Sequence, residues 1–327
     1  MKAKKLLALV LALTLVASLL SLTACNGKKK YVIGISQLVT HDALDAATQG
    51  FKDAVIAGLG EENVEFDFQN ADNSTDACAT IAKSFVSKKV DLIMANATPA
   101  LNSAYSATTT IPILGTSITE YGVALNIQNF NGTVGGNVSG TSDLAPLDQQ
   151  AQMIIDLVPT ATKVGLLYCS GEPNSDYQVK VVKEYLQGKN ITCTEYTFSG
   201  SDDVTTVAAR AAAENDALYV PTDNTAASCA ETIYGAMATK KPLIAGESGI
   251  CSGCGIATLS IDYYDLGYAT GEMAVKILKD GADISTMPIA YTPEDKLSKK
   301  YNKQICQDLG INTADLEAKG FTALEQK

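Results

Sequence analysis

Few side chains in this sequence could make or break bonds, and their spacing narrows them further. There is one histidine, His41, one arginine, Arg210, and no tryptophan. A Ser–His–Asp device needs its serine on a strained turn such as G-x-S-x-G, and Gly246-Glu247-Ser248-Gly249 lacks that spacing. His41 fits better as a helix cap or a ligand contact. No P-loop occurs and no G-x-G-x-x-G follows the first strand, so no cofactor is expected. Cysteines stand at 25, 78, 169, 193, 229, 251, 254 and 306, and Cys251-Ser-Gly-Cys254 is the only close pair. Zinc would need two more ligands beside it, and neither a second C-x-x-C nor a histidine is near in sequence. A redox pair belongs at a helix start after a strand, whereas this pair reads as part of a Gly/Ser-rich turn. Two small, partly buried thiols, or one local disulfide, is the plainer reading. No catalytic residue and no metal site is assigned.

What remains is a set of hydrogen-bonding residues, and the elements decide whether they converge. After residue 30, short β-branched runs alternate with longer amphipathic ones. Tyr31–Ser36, Val64–Phe68, Asp91–Ala95 and Ile111–Gly115 read as strands. Helices fall between them: Asp42–Ala57, a run capped by Asp72-Asn73-Ser74 and ending near Lys88, and one from about Pro99. The order repeats. Lys163–Tyr168, Ile191–Phe198, Asp216–Val220 and Pro242–Ala245 read as strands, with Pro173–Gly188, Ser201–Glu214 and Asp223–Thr239 as helices. The motif Ile111-Pro112-Ile113-Leu114-Gly115-Thr116-Ser117 is echoed by Lys241-Pro242-Leu243-Ile244-Ala245-Gly246-Glu247-Ser248.

Alternating strands and helices imply parallel sheets flanked by helices, and two such units imply an α/β protein of two Rossmann-like lobes. The Gly-rich stretch Asn131–Gly140 is a candidate crossover. A second falls near Ser260-Ile261-Asp262, before a helix Tyr264–Asp280, and a third near Gly281–Met287, before a strand Pro288–Tyr291. The expected division is therefore residues 31–142 with 262–284 in an N-terminal lobe, and 143–261 with 285–327 in a C-terminal lobe.

In open parallel sheets, ligands bind at the carboxyl ends of the strands. In the first unit those positions hold Gln37, His41, Thr98, Thr116 and Ser117. In the second they hold Asn174, Ser175, Asp223, Asn224, Glu247 and Ser248. Hydroxyls and helix N-termini in the first lobe suit a carboxylate, while Asp223 and Glu247 suit an ammonium. A zwitterionic amino acid between the lobes would satisfy both. The competing reading is that these residues are N-caps and turn formers. Asp262-Tyr263-Tyr264-Asp265 either lines a hinge or pocket, or is an Asp cap followed by core tyrosines.

The first residues read as an address. Lys2, Lys4 and Lys5 precede an uncharged run from Leu6 to Ala24, then Cys25, the layout of a secretory signal peptide. Leu22-Thr23-Ala24-Cys25 looks like a bacterial lipobox, with cleavage before Cys25, acylation of its thiol, and residues 25–30 as a leash. The other reading is a retained transmembrane helix, since the run is just long enough to span. Either way the rest of the chain lies outside the cytoplasm.

The full chain of 327 residues has 25 Lys+Arg against 36 Asp+Glu, a net charge of −11. Cleavage after residue 24 removes three lysines and leaves −14. That balance gives no support to nucleic-acid binding, and a single Arg removes the Arg clusters that capture phosphates.

Several segments together resemble the tryptophan/tyrosine-type substrate-binding family of ABC importers, with a type I periplasmic-binding-protein fold. They are Ile33-Gly34-Ile35-Ser36-Gln37 leading to His41-Asp42-Ala43-Leu44-Asp45, Asn137-Val138-Ser139-Gly140-Thr141-Ser142-Asp143, Gly171-Glu172-Pro173-Asn174-Ser175, Val220-Pro221-Thr222-Asp223-Asn224-Thr225, and Ile261-Asp262-Tyr263-Tyr264-Asp265-Leu266-Gly267. The resemblance spans about residues 31–320. It implies an aromatic amino acid captured by hinge closure and delivered to a membrane permease with its ATPase, by a monomeric protein tethered through lipid on Cys25. It also adds Ser142, Asp143 and Asp262 to the candidate ligand residues, with Tyr263 or Tyr264 in place of a stacking tryptophan. Within the binding class the alternatives are a branched-chain amino acid, a nucleoside or a sugar. Outside it they are a non-transport sensor or an exported hydrolase.

Overall fold

The computed structural model describes residues 30–325. The signal peptide, Cys25 and the leash before Lys30 lie outside the described residues. Among the described residues no helix is long and apolar enough to cross a membrane.

The first lobe opens with β1 (Tyr31–Gln37), α1 (Asp42–Leu59), β2 (Val64–Asn70), α2 (Thr75–Lys88), β3 (Leu92–Asn96), α3 (Thr98–Ala107), β4 (Ile113–Ile118), a short α4 (Tyr121–Ala124) and β5 (Val138–Ser142). The second lobe follows with α5 (Leu147–Leu157), β6 (Lys163–Cys169), α6 (Pro173–Gly188), β7 (Thr192–Phe198), α7 (Val204–Glu214), β8 (Ala217–Val220), α8 (Asn224–Ser228), α9 (Ala230–Ala236), β9 (Leu243–Ala245), α10 (Ser248–Cys254) and β10 (Ala257–Ser260). The chain then returns to the first lobe with α11 (Tyr263–Asp280) and β11 (Ala290–Tyr291). It ends in the second with β12 (Ser298–Tyr301), α12 (Lys303–Asp308), α13 (Thr313–Ala318) and β13 (Thr322–Ala323).

The first sheet runs β11-β5-β4-β3-β1-β2, all parallel. The second runs β13-β12-β10-β9-β8-β6-β7, parallel except where β12 meets β10. Central strands such as β3, β4, β8 and β9 are buried at every position, as a sheet covered by helices on both faces requires. That explains why the strands read as continuous apolar runs. Each lobe has core on both faces of its sheet: around Phe85 and Leu101 on one side and Phe51 and Met94 on the other in the first, and around Val182 and Ile305 against Phe198 and Ile233 in the second.

The crossovers differ from the sequence reading in two places. Val138–Ser142 is a strand of the first sheet, so the first crossing follows it at residues 143–146 instead of lying within Asn131–Gly140. Ala290–Tyr291 pairs with Thr141–Ser142 of β5, so residues up to Tyr291 stay with the first sheet and the last crossing falls after them, not near Gly281–Met287. The second crossing, between β10 and α11, is where it is expected.

Local boundaries also shift. The expected helix Asp223–Thr239 is two short helices, broken at Cys229, whose φ of −128° and ψ of 24° leave the helical range. Cys251-Ser-Gly-Cys254 lies in the short helix α10 and not in an open turn.

Candidate functional site

The strand ends of both sheets face one another across the crossings, and a small, tightly closed cavity lies between them. From the first lobe it receives His41 and Leu44 at the start of α1, Ser117 and Thr119 at the end of β4, and Asp143 at the first crossing. Tyr263, at the start of α11, completes that side. From the second lobe it receives Asn174 of α6, Thr222, Asp223 and Asn224 after β8, Ala227 of α8, and Glu247 after β9. A wider groove opens beside it and shares His41 and Ala227.

Local folding aims these groups. β4 shifts register against β5 between Gly115 and Ile118. Within that irregularity Ser117 takes a φ of 55°, a left-handed conformation unusual for serine that costs about 1–3 kcal/mol. Glu247 caps α10 by accepting from Gly249 N–H at 2.6 Å and Ile250 N–H at 2.5 Å. Asp223 caps α8 by accepting from Ala226 N–H at 2.7 Å, and its other oxygen accepts from Cys169 N–H at 2.7 Å and Ser175 Oγ at 2.8 Å. Tyr263 Oη donates to Asp143 Oδ2 at 3.0 Å and ties two crossings together.

Four polar atoms of this chamber are buried with no hydrogen-bond partner among the described residues: Ser117 Oγ, Asp143 Oδ1, Asn174 Oδ1 and His41 Nδ1. Each such atom left unpaired costs about 1–3 kcal/mol, against a whole-domain stability of about 5–15 kcal/mol. Four in one chamber is the signature of a site completed by a polar ligand. The chamber is also rich in carboxyl groups. Burial, opposed by hydrogen bonds and reinforced by the nearby Glu247 charge, pushes the Asp143 carboxyl up to about 6. Burial, with Glu172 adjacent, holds Asp223 well above the usual carboxylate range. Burial also raises Glu247, although the His41 ring and the two capping N–H groups oppose the shift. A ligand ammonium would relieve this excess of carboxylates.

The cavity thus gathers His41, Ser117, Asp143, Asn174, Asp223, Asn224 and Glu247 of the residues expected from sequence. The others lie elsewhere. Gln37 is buried below α1, donating to Asp45 at 2.6 Å and accepting from Thr48. Thr98 is buried in the first turn of α3. Thr116 pairs with the Thr141 hydroxyl at 3.2 Å. Ser142 Oγ donates to the Thr119 carbonyl at 2.8 Å, and Ser175 Oγ is spent on Asp223. Asp262 caps α11 by accepting from Asp265 N–H, and Tyr264 is exposed, its hydroxyl donating to Asp53. Sequence reading missed Thr119 and Thr222 as lining residues. Thr119 lay beyond the expected end of its strand, and Thr222 directly precedes Asp223.

The cysteines contribute no reactive group here. All seven described cysteines are free thiols. Cys251 and Cys254 are fully buried, and burial raises both above the ordinary thiol value, the opposite of what a redox pair needs. No group of residues able to hold a metal ion is found among the described residues.

Comparison with known proteins agrees with this architecture. A family model described as ABC transporter substrate binding protein matches residues 32–319. A tyrosine-binding protein of Clostridioides difficile (strain R20291) is 37% identical over 317 residues, covering 90% of each chain. A Streptococcus pneumoniae ABC domain solved in complex with L-Trp is 32% identical, covers 90% of this chain and 100% of its own, and superposes with a TM-score of 0.84. A ligand-free, open substrate-binding protein with adhesive properties from Clostridium difficile is 38% identical, over 91% of this chain and 100% of its own, yet gives a TM-score of only 0.68. The shape is nearer that of the protein solved with L-Trp than that of the open one, although the sequence is not.

Proposed function

Since the chain belongs to the ABC transporter substrate-binding protein family, whose members bind rather than transform their substrates, we propose that it captures an amino acid in the inter-lobe cavity by closure of its two lobes. The reading is of an aromatic amino acid, tryptophan, tyrosine or phenylalanine, which the closed protein presents to an importer's permease and ATPase. The observation that carries it is the set of four unpartnered buried polar atoms in one chamber rimmed by carboxylates. Asp143 Oδ1 and Asn174 Oδ1 offer acceptors to an ammonium, Ser117 Oγ offers a donor to a carboxylate, and Leu44, Ala227 and the Tyr263 ring offer the apolar wall. The names of the relatives, one tyrosine-binding and one complexed with L-Trp, point to the same ligand class.

The chain works outside the cytoplasm, as substrate-binding proteins of importers do. We read it as a monomer held at the membrane by acyl chains on Cys25 after loss of residues 1–24. One chain would bind only reversibly, so stable tethering calls for more than one.

The test is thermal unfolding of the chain without residues 1–25, unfolded and refolded to strip carried ligand, against single amino acids, nucleosides and sugars. A ligand that binds only the native state adds about 2.7 kcal/mol at a hundredfold excess over its dissociation constant. A selective rise with an aromatic amino acid is the expected outcome. A rise with another solute alone would discard the aromatic assignment, and no rise with any of them would discard capture.

A further inference from the structure

We infer that Glu172, which does not line the cavity, is the positioning residue of lobe closure: it fixes the hydrogen-bonding polarity of the two second-lobe residues that meet the first lobe across the cleft. The inference rests on the capture reading above and adds the residue that governs how long the closed state lasts.

Two hydrogen bonds cross the cleft mouth. His41 Nε2 lies 3.4 Å from Asn224 Oδ1, and Asn73 Nδ2 donates to Thr225 Oγ1 at 3.2 Å. Both second-lobe partners are held by the same carboxylate. Glu172 Oε2 accepts from Asn224 N–H at 3.0 Å and from Asn224 Nδ2 at 2.8 Å. Glu172 Oε1 accepts from Thr225 N–H and from Thr225 Oγ1, each at 2.8 Å. Glu172 is 4% exposed, so solvent does not compete for these bonds.

An ionised carboxylate only accepts, and that sets the direction of everything beyond it. The Asn224 amide must turn its nitrogen to Glu172, which leaves its oxygen facing His41. The Thr225 hydroxyl must give its single hydrogen to Glu172, which leaves its lone pairs facing Asn73. The second lobe therefore offers two acceptors across the cleft, and the first lobe answers with two donors. For His41 the consequence reaches the cavity. Nε2 must carry a proton to bond Asn224, so in the neutral ring Nδ1, the buried atom without a protein partner, is an acceptor turned toward ligand donors. Asn174 Nδ2 also donates to Glu172 Oε2, at 3.2 Å, which leaves Asn174 Oδ1 as the acceptor in the cavity.

Glu172→Gln tests this, because the amide adds a donor where only an acceptor fits. Asn73→Gly serves as a second variant. It removes one cross-cleft donor outside the core, and glycine tolerates the φ of 63° that Asn73 adopts. Stopped-flow binding of L-tyrosine and of L-tryptophan gives association and dissociation rates separately. Glu172→Gln should speed dissociation about tenfold with association changed less than about twofold, since closure contacts act on the off-rate. Asn73→Gly should speed it about threefold, and the double variant should be less than additive, because Thr225 is no longer aimed. A merely structural role for Glu172 would lower thermal stability without a selective change in dissociation. Wild-type dissociation in Glu172→Gln, or full additivity with Asn73→Gly, overturns the inference. If Glu172→Gln does not fold, wild-type dissociation in Asn73→Gly overturns it. Failure of the wild-type chain to bind either amino acid would instead count against the capture reading.

Discussion

Under the proposed capture, Asp143 is the residue at which charge and ligand would meet. One of its oxygens is held by Tyr263 and the other is unpartnered and buried. Its carboxyl, ordinarily at 3.8, is pushed up to about 6, chiefly by burial and with Glu247 adding repulsion. In the unliganded protein a raised carboxyl favours the protonated, folded state. That contribution is full below the ordinary value and is lost as pH rises through about 6. Binding of an ammonium has the opposite sign, because only the ionised carboxylate pairs with it. Affinity for L-tyrosine or L-tryptophan should be about tenfold weaker at pH 5 than at pH 7.5. His41, Asp223 and Glu247 also face the cavity. Asp143→Asn therefore isolates the contribution: it should weaken binding at pH 7.5 by about tenfold or more and flatten the profile. Titration calorimetry at the two pH values reads both, and an unchanged profile in the variant would assign the dependence elsewhere. Asp223 and Glu247 were legible in the sequence because they stand just past expected strand ends, whereas Asp143 was reached only through the family resemblance, since the strand before it, β5, was read as a crossover. Gln37, Thr116 and Ser142 stand in equivalent places but spend their side chains inside the protein, on Thr48, Thr141 and the Thr119 carbonyl. Strand-end position does not say which way a side chain turns. Ser117 turns into the cavity through a positive φ within a β-irregularity, and sequence carries no mark of that.

Among the elements, the pairing of α1 with α11 carries the most for the site. His41 precedes one helix and Tyr263 begins the other, so the distance between these helices sets the shape of the chamber. They approach closely enough that a Cβ on Gly267 would lie 1.9 Å from the Ala47 carbonyl oxygen. Gly267→Ala must therefore separate the helices. Overpacking of this kind costs about 1–3 kcal/mol, which urea unfolding should show as a lower midpoint. The same variant should weaken amino-acid binding. Full stability in Gly267→Ala would mean that the helices can part without cost. These two helices were readable from their recurring apolar residues: Ala47, Phe51 and Val55 of α1 pack with the buried Leu266, Met273 and Ala274 of α11. Some short elements were not. β10 has four residues, too few for periodicity to register, whereas β11 falls inside the expected strand Pro288–Tyr291. The pairing of β11 with β5, which moved a crossing past Tyr291, depends on tertiary packing that no local pattern encodes.

Over the whole molecule, paired lobes, multiple crossings and strand ends turned inward make a hinged clamp. The duplication visible in the sequence, with Ile113–Ser117 echoed at Leu243–Ser248, brings Ser117 and Glu247 to opposite walls of one cavity. A ligand shifts such a clamp only by binding the closed form more tightly. In the proposed capture, the unpartnered atoms on both walls would supply that difference, because one ligand could satisfy them together only when the lobes meet. Small-angle X-ray scattering of the ligand-stripped chain, alone and with L-tryptophan or L-tyrosine, tests capture by closure most directly. Capture by closure predicts that one of these amino acids lowers the radius of gyration and brings the profile to that of the structure described above. Saturable binding of the amino acid with an unchanged scattering profile would contradict it.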